Sequence, residues 1–140
     1  MTANEDGLVA VGGDLEISTL KEAYRQGIFP WPIPEYPEKY PHLTWFSPDP
    51  RAILDFADLH VPRSLEKALR RSDFTFSIDT AFEIVIKTCR SIDRGDEGTW
   101  ITPDMIDAYI ALHKDGFAHS AEVWQGQDLV AGLYGVDAFG

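Results

Sequence analysis

Two groups of residues have types and spacings suited to chemistry. Arg63, Lys67, Arg70 and Arg71 stand at i, i+4, i+7 and i+8, which puts four cations on one face of a helix. Only Glu66 offsets them, so the segment forms a local basic patch that a negatively charged partner could dock on. The second group is the tryptophans Trp31, Trp45, Trp100 and Trp124. An indole can stack on a nucleobase, worth about 1–3 kcal/mol per base. Trp31 and Trp100 stand beside loops rich in Pro or Gly and are candidates to line a cleft, whereas Trp45 and Trp124 are expected in the core.

Other patterns carry less. Gly12-Gly13-Asp14-Leu15 lacks the glycine spacing and the Lys-Ser/Thr of a phosphate loop. His42, His60, His113 and His119 show no metal-ligand spacing, and neither metal nor cofactor is expected. Cys89 falls on a buried helix stripe and reads as packing. No Gly-x-Ser-x-Gly elbow is present, and the adjacent carboxylates Asp96 and Glu97 read as a solvated pair.

The elements that must position these residues are legible from punctuation and periodicity. Ser18 is expected to cap a helix with Leu20, Ala23 and Tyr24 on one face, ended by Gly27. Seven of the nine prolines fall between Pro30 and Pro50. They are interleaved with Phe29, Trp31, Ile33, Tyr36, Tyr40, Trp45 and Phe46, too many large apolar groups for a solvated linker. This segment is expected to pack as a loop or to line a pocket. Pro62 opens the basic helix, which runs to about Arg71 with Leu65, Ala68 and Leu69 expected toward the core. Phe74–Ile78 alternates as a strand. Thr80 and Glu83 are expected to form a capping box for a helix burying Phe82, Val85, Ile86 and Cys89. Thr102-Pro103 opens a helix with Met105, Ala108, Tyr109 and Leu112 inward and Gly116 at its end. Phe117–Trp124 and Asp128–Val136 then form a hairpin through residues 125–127. The order predicts an α+β chain, with an N-terminal domain over 1–60 and a second domain over 61–140. The last hairpin strand leaves an open edge, which either further residues or another chain would cover; in the second case self-association through Asp128–Val136 is expected.

Bulk composition narrows the function classes. The 140 residues are 44% hydrophobic and 25% charged, ordinary for a globular chain. The formal charge is −11, which excludes coating of nucleic acid by bulk positive charge. The net charge is −5 over residues 1–49, +1 over 51–94 and −7 over 95–140, so the basic groups are concentrated in the middle third. A single cysteine, an acidic N-terminus and the lack of any apolar run of about 20 residues lead us to expect a cytoplasmic protein off the membrane.

Gly7-Leu8-Val9-Ala10-Val11-Gly12-Gly13-Asp14-Leu15 and Ala23-Tyr24-Arg25-Gln26-Gly27-Ile28-Phe29-Pro30-Trp31 closely resemble the leucyl/phenylalanyl-tRNA–protein transferase family. So do Trp45-Phe46-Ser47-Pro48-Asp49-Pro50-Arg51, Glu97-Gly98-Thr99-Trp100-Ile101-Thr102, His119-Ser120, Glu122-Val123-Trp124 and Gly132-Leu133-Tyr134-Gly135-Val136. The resemblance implies transfer of Leu or Phe from its tRNA to proteins that begin with Arg or Lys, which marks them for degradation. It implies a small N-terminal domain followed by an incomplete domain like the GCN5-related N-acetyltransferases. By the same resemblance Trp31 and Trp100 hold the 3′-terminal adenosine, and Leu133, with Tyr134 beside it, belongs to the substrate pocket. Arg63, Lys67, Arg70 and Arg71 contact the acceptor stem of the aminoacyl-tRNA. Family members continue past the match, and the residues assigned to peptide-bond formation are expected in that continuation, so no catalytic residue is assigned here. Two other readings stand beside this one. One is a non-catalytic module that binds the tRNA acceptor end; the other is a small-molecule acyltransferase, disfavoured by the lack of a phosphate-binding glycine loop.

Overall fold

The structure is a computed structural model and describes residues 3–32, 43–95 and 99–138. It is α+β. An N-terminal sheet is built from β1 (Leu8–Val11), β2 (Phe29–Pro30) and β3 (Thr44–Phe46) in the order β1-β3-β2, with helix α1 (Ile17–Arg25) between β1 and β2. A single 3₁₀ turn (Phe56–Asp58) leads to helix α2 (Arg63–Arg71). A second antiparallel sheet follows, in the order β4-β5-β6, from β4 (Phe74–Ile78), β5 (Ala118–Gln125) and β6 (Asp128–Val136). Helices α3 (Phe82–Ser91) and α4 (Pro103–Lys114) separate β4 from β5. The expected Ile33, Tyr36 and Tyr40 of the proline loop, and the pair Asp96 and Glu97, lie outside the described residues.

One hydrophobic core joins the two sheets. Leu20 and Trp45 from the N-terminal part pack with Phe82, Ile86, Met105, Tyr109 and Leu112. The α4 stripe is as expected: Met105, Tyr109 and Leu112 are buried, and the Thr102 hydroxyl caps the helix by accepting from Met105 N at 3.2 Å. The hairpin turns through Gly126 at φ +62°, a conformation that favours glycine. Gly132 lets β6 approach α3: a Cβ there would stand 2.9 Å from a Val85 methyl carbon.

Three local expectations are corrected. α1 starts after Glu16 and not at Ser18, because the Asp14 carboxylate accepts from Glu16 N at 3.1 Å and from the Thr19 hydroxyl at 2.7 Å. No Thr80–Glu83 capping box forms. The Thr80 hydroxyl donates backward to Ile78 O, Glu83 pairs with Lys87, and Ala81 is the N-cap of α3. The third concerns α2, where Leu65 and Leu69 are 48% and 43% exposed. No residue of α2 is buried, so its apolar side is not covered by the core as expected. Trp124 is half-buried and not enclosed; its indole N–H donates to the Ser77 hydroxyl at 2.8 Å. Trp45, in contrast, is buried, with its indole N–H donated to Gly12 O at 2.8 Å.

The second sheet is held by a buried carboxylate that the sequence did not announce. Glu122 lies in the middle strand, 1% exposed. It accepts hydrogen bonds from the Ser77 hydroxyl on β4 and the Ser120 hydroxyl on β5, each at 2.5 Å, and from Ala81 N at the start of α3 at 3.3 Å. Burial alone would push this carboxyl up, but the hydroxyl and backbone donors outweigh it and hold it below the ordinary carboxylate range. A group depressed in this way stabilises the fold above its unfolded-state value, and the contribution is lost as pH falls through the folded value. Glu122→Ala leaves two hydroxyls and an N–H without their acceptor, so we expect a loss of about 2 kcal/mol or more. Urea melts at neutral pH and near pH 3 test this. The gap between the variant and the parent should shrink at the lower pH, and a gap independent of pH would refute the assignment.

Candidate functional site

Trp31 and Trp100 meet face to face. Their ring centroids are 4.6 Å apart and their planes 16° from parallel. Trp31 is set by the N-terminal sheet: its N–H donates to Thr44 O at 2.9 Å, and its carbonyl accepts from the buried Thr44 hydroxyl at 2.5 Å. The two bonds extend the β2–β3 pairing by one residue. Phe29 stands edge-on to Trp31 at 6.2 Å, and the Arg51 guanidinium lies over Phe29 at 5.0 Å while donating to Gly27 O. Trp100 is set from the other side of the chain. Arg90 in the last turn of α3 donates to Ile101 O at 3.0 Å, and α4 starts two residues later at Pro103.

A cluster of phenols packs in and against the core. The Tyr24 hydroxyl of α1 and the Tyr109 hydroxyl of α4 are hydrogen-bonded, with the rings edge-on. Burial raises both above the ordinary tyrosine value, so both hydroxyls stay protonated. Tyr134 of β6 turns its ring into the same group, edge-on to Tyr109 and Phe82. Periodicity marks Tyr24 and Tyr109 only as members of apolar helix faces; their hydrogen bond crosses between elements far apart in sequence, and no local pattern signals it.

The remaining candidates are placed as follows. Leu133 is 65% exposed and lies on the outer face of the second sheet with Phe76 and Ile78, which are 63% and 67% exposed. Tyr134, its neighbour, points inward, because successive strand residues face opposite sides. The structure thus brings Trp31 and Trp100 together, and it turns Tyr134 and Leu133 to opposite faces of the second sheet. Arg63, Lys67, Arg70 and Arg71 line one shallow cleft of about 430 Å³ on exposed α2, with Arg70 paired to Glu66 at 3.1 Å. Cys89 is half-buried and its thiol is pushed up by burial, which suits packing and not nucleophilic attack. No group of three His, Cys, Asp or Glu among the described residues could hold a metal ion, and no described helix is long and apolar enough to cross a membrane.

At 4.6 Å nothing fits between the two indoles, and Trp31 is 41% exposed. The stack also ties the N-terminal sheet to α4. Trp31→Ala should cost about 0.5–1.5 kcal/mol of stability and expose Trp100, read as stronger acrylamide quenching and red-shifted emission. Unchanged quenching of the remaining tryptophans would show that the pair is not stacked in solution.

Residues 53–140 match the family model described as leucyl/phenylalanyl-tRNA protein transferase, and residues 13–49 match the model of the N-terminal domain of that protein. A relative from Anaeromyxobacter sp. (strain K), named leucyl/phenylalanyl-tRNA–protein transferase, is 56% identical over 135 residues, covering 96% of this chain and 56% of the relative. Proteins of the same name from Methylococcus capsulatus and Pectobacterium atrosepticum are 53% and 50% identical, covering 94% and 96% of this chain and 54% of each relative. The chain spans about half the length of the curated relatives it matches.

Proposed function

The chain belongs to the leucyl/phenylalanyl-tRNA protein transferase family, and on that premise we propose that it binds the acceptor end of Leu- or Phe-tRNA for transfer of the amino acid to a protein with an N-terminal Arg or Lys. In that reaction the acceptor α-amino nitrogen attacks the ester carbonyl. The new C–N bond forms as the C–O bond to the ribose breaks, and the amine proton leaves to the ribose oxygen or to solvent. The ester is already activated, so the demands on the protein are positioning and a proton path. No cofactor enters, and no residue of this chain is assigned the proton transfer.

The observation that carries the reading is the Trp31–Trp100 pair, two indoles from distant segments meeting at a partly exposed edge of the core. In this reading they hold the terminal adenosine. The cations of α2 take the acceptor-stem phosphates, and Tyr134 belongs to the substrate pocket; Leu133, turned to the opposite sheet face, does not share it. Residues 1–60 act as the N-terminal domain and 61–140 as part of a domain like the GCN5-related N-acetyltransferases, in the cytoplasm where charged tRNA is found.

Transfer of labelled leucine from Leu-tRNA to a protein beginning with Arg tests the reaction, with one of the relatives as control. Affinity for a Leu-charged minihelix tests the site. We expect Arg70→Glu with Arg71→Glu to weaken that affinity at least tenfold and to flatten its salt dependence. Affinity unmoved by the charge reversal sinks the docking surface, while binding without transfer leaves a tRNA-binding module.

We also propose that the chain associates with itself through β6, whose outer edge pairs with no strand among the described residues. Leu133 lies beside this edge, on the outer face it shares with Phe76 and Ile78. Light scattering should show a concentration-dependent dimer or larger species that Leu133→Lys reduces. A monodisperse monomer at high concentration would exclude it.

A further inference from the structure

Two apolar surfaces of this chain stand uncovered, and their shapes fit each other. The first is the outer face of the second sheet. The register sets Phe76, Val123 and Ala131 in one row across β4, β5 and β6, and Ile78, Ala121 and Leu133 in the next. Residues directly opposite in an antiparallel ladder share a face, and Phe76, Ile78 and Leu133 are all well exposed. The middle strand contributes only Val123 and Ala121. The face therefore sinks along β5, between Phe76 and Ile78 on one side and Leu133 on the other.

The second surface is the apolar side of α2. Leu65 and Leu69 stand one turn apart, opposite the four cations, and every residue from 52 to 71 is exposed. Only Ser72 and Asp73 separate this helix from β4. Connections of two residues between a helix and the strand it packs on are common. Asp73 is tied to the sheet, since Gln125 Nε2 of β5 donates to its carboxylate at 3.2 Å. Ser72 is extended, at φ −83° and ψ 158°, and is the joint between helix and sheet. Along the helix axis the two leucines are about 6 Å apart. The two rows of the face are about 6.8 Å apart along the strands. Laid back antiparallel to β4, the helix would set Leu69 over the Phe76 row and Leu65 over the Ile78 row. Its first turn would then lie over the end of β4 at Asp79, and a carboxylate suits a helix start. A tether of two residues also gives α2 an effective concentration at this face that a second copy or a separate partner lacks.

We propose that α2 is a strap that closes on the outer face of the second sheet by turning about Ser72, seating Leu65 and Leu69 in the trough along β5. Closure covers both apolar surfaces and leaves Arg63, Lys67, Arg70 and Arg71 pointing outward, because they lie on the opposite side of the helix. It uses the face of β6 and not its edge, so the edge stays free for another strand. A further consequence rests on the reading of α2 as the docking surface for the acceptor stem. A helix of nine residues is marginal by itself. A polyanion binding the open helix would have to order it, whereas the closed helix offers its cations in a fixed direction.

Two measurements on the full chain test the closure. Hydrogen exchange of the α2 amides is compared between the parent and the variants Ile78→Asp and Leu133→Asp, which alter the trough and leave α2 itself unchanged. Amides of residues 67–71 should exchange about tenfold faster or more in both variants, with the β5 amides unmoved. Equal exchange in parent and variants overturns the strap. The second measurement does not depend on those variants folding. In a Cys89→Ala background, Leu65→Cys with Leu133→Cys should oxidise to a disulfide within one chain. Leu65→Cys with Asp128→Cys, at the other end of β6, should not. No disulfide in the first pair overturns the proposal, and a disulfide between chains assigns the trough to a second copy and overturns it equally. The oxidised Leu65–Leu133 variant should bind the Leu-charged minihelix about threefold or more tightly than its reduced form. Equal or weaker binding overturns the part of closure in docking. Closure without minihelix binding in either form removes the docking reading and leaves the strap standing.

Discussion

Glu122 governs more of this fold than its single charge suggests, because a carboxylate in the interior must be answered by donors from whatever surrounds it. Here the donors come from two strands and from the start of α3. That requirement fixes the register of the second sheet. A slip of one residue would turn Glu122 to the outer face and carry Ala121 or Val123 inward, leaving Ser77, Ser120 and Ala81 N unsatisfied. It also replaces the capping box that α3 lacks. The helix is anchored by a side chain from the sheet beneath it and not by its own N-terminal residues.

Once α3 is anchored, the positions of the indoles follow. Arg90 at its far end holds the backbone next to Trp100. The close approach of β6 to α3, which Gly132 permits, brings Tyr134 against Phe82 at the start of the helix. From the other side, α1 meets α4 through the Tyr24–Tyr109 hydrogen bond and the Lys21–Asp115 ion pair, and Trp31 is carried in on the short β2–β3 ladder. The stack between Trp31 and Trp100 is where these two chains of contacts close. Neither indole has to be rigid by itself; each is placed by a hydrogen-bonded strand or helix end one or two residues away.

Much of the secondary structure was legible because it rests on local chemistry. The alternation over Phe74–Ile78, the Thr102-Pro103 start of α4 and the turn at Gly126 are each decided within a few residues. Failures came where a distant group overrode a local preference. Asp14 orders the turn ahead of α1, which has no side-chain cap, and Glu122 takes the N–H of Ala81 where a Thr80–Glu83 box is expected. The apolar side of α2 could be read from spacing, but whether anything covers it could not, since the helix periodicity is the same in either case. At the site, tryptophan beside Pro and Gly was enough to single out Trp31 and Trp100, and the resemblance to the family named the same pair. That the two rings touch, and that Leu133 and Tyr134 part to opposite faces, are facts of packing and of strand geometry.

The distribution of charge gives the basic helix a meaning it would lack on a neutral chain. A polyanion approaching a body of net charge −11 is repelled over most of its surface, and the repulsion extends about 10 Å at moderate salt. The middle third alone carries a positive balance, and its cations are gathered on one exposed face of α2. Attraction there need not be strong to be selective, because every other orientation is disfavoured. In the proposed docking, acidity in the two flanking thirds therefore sharpens the direction of approach: it costs affinity and returns orientation.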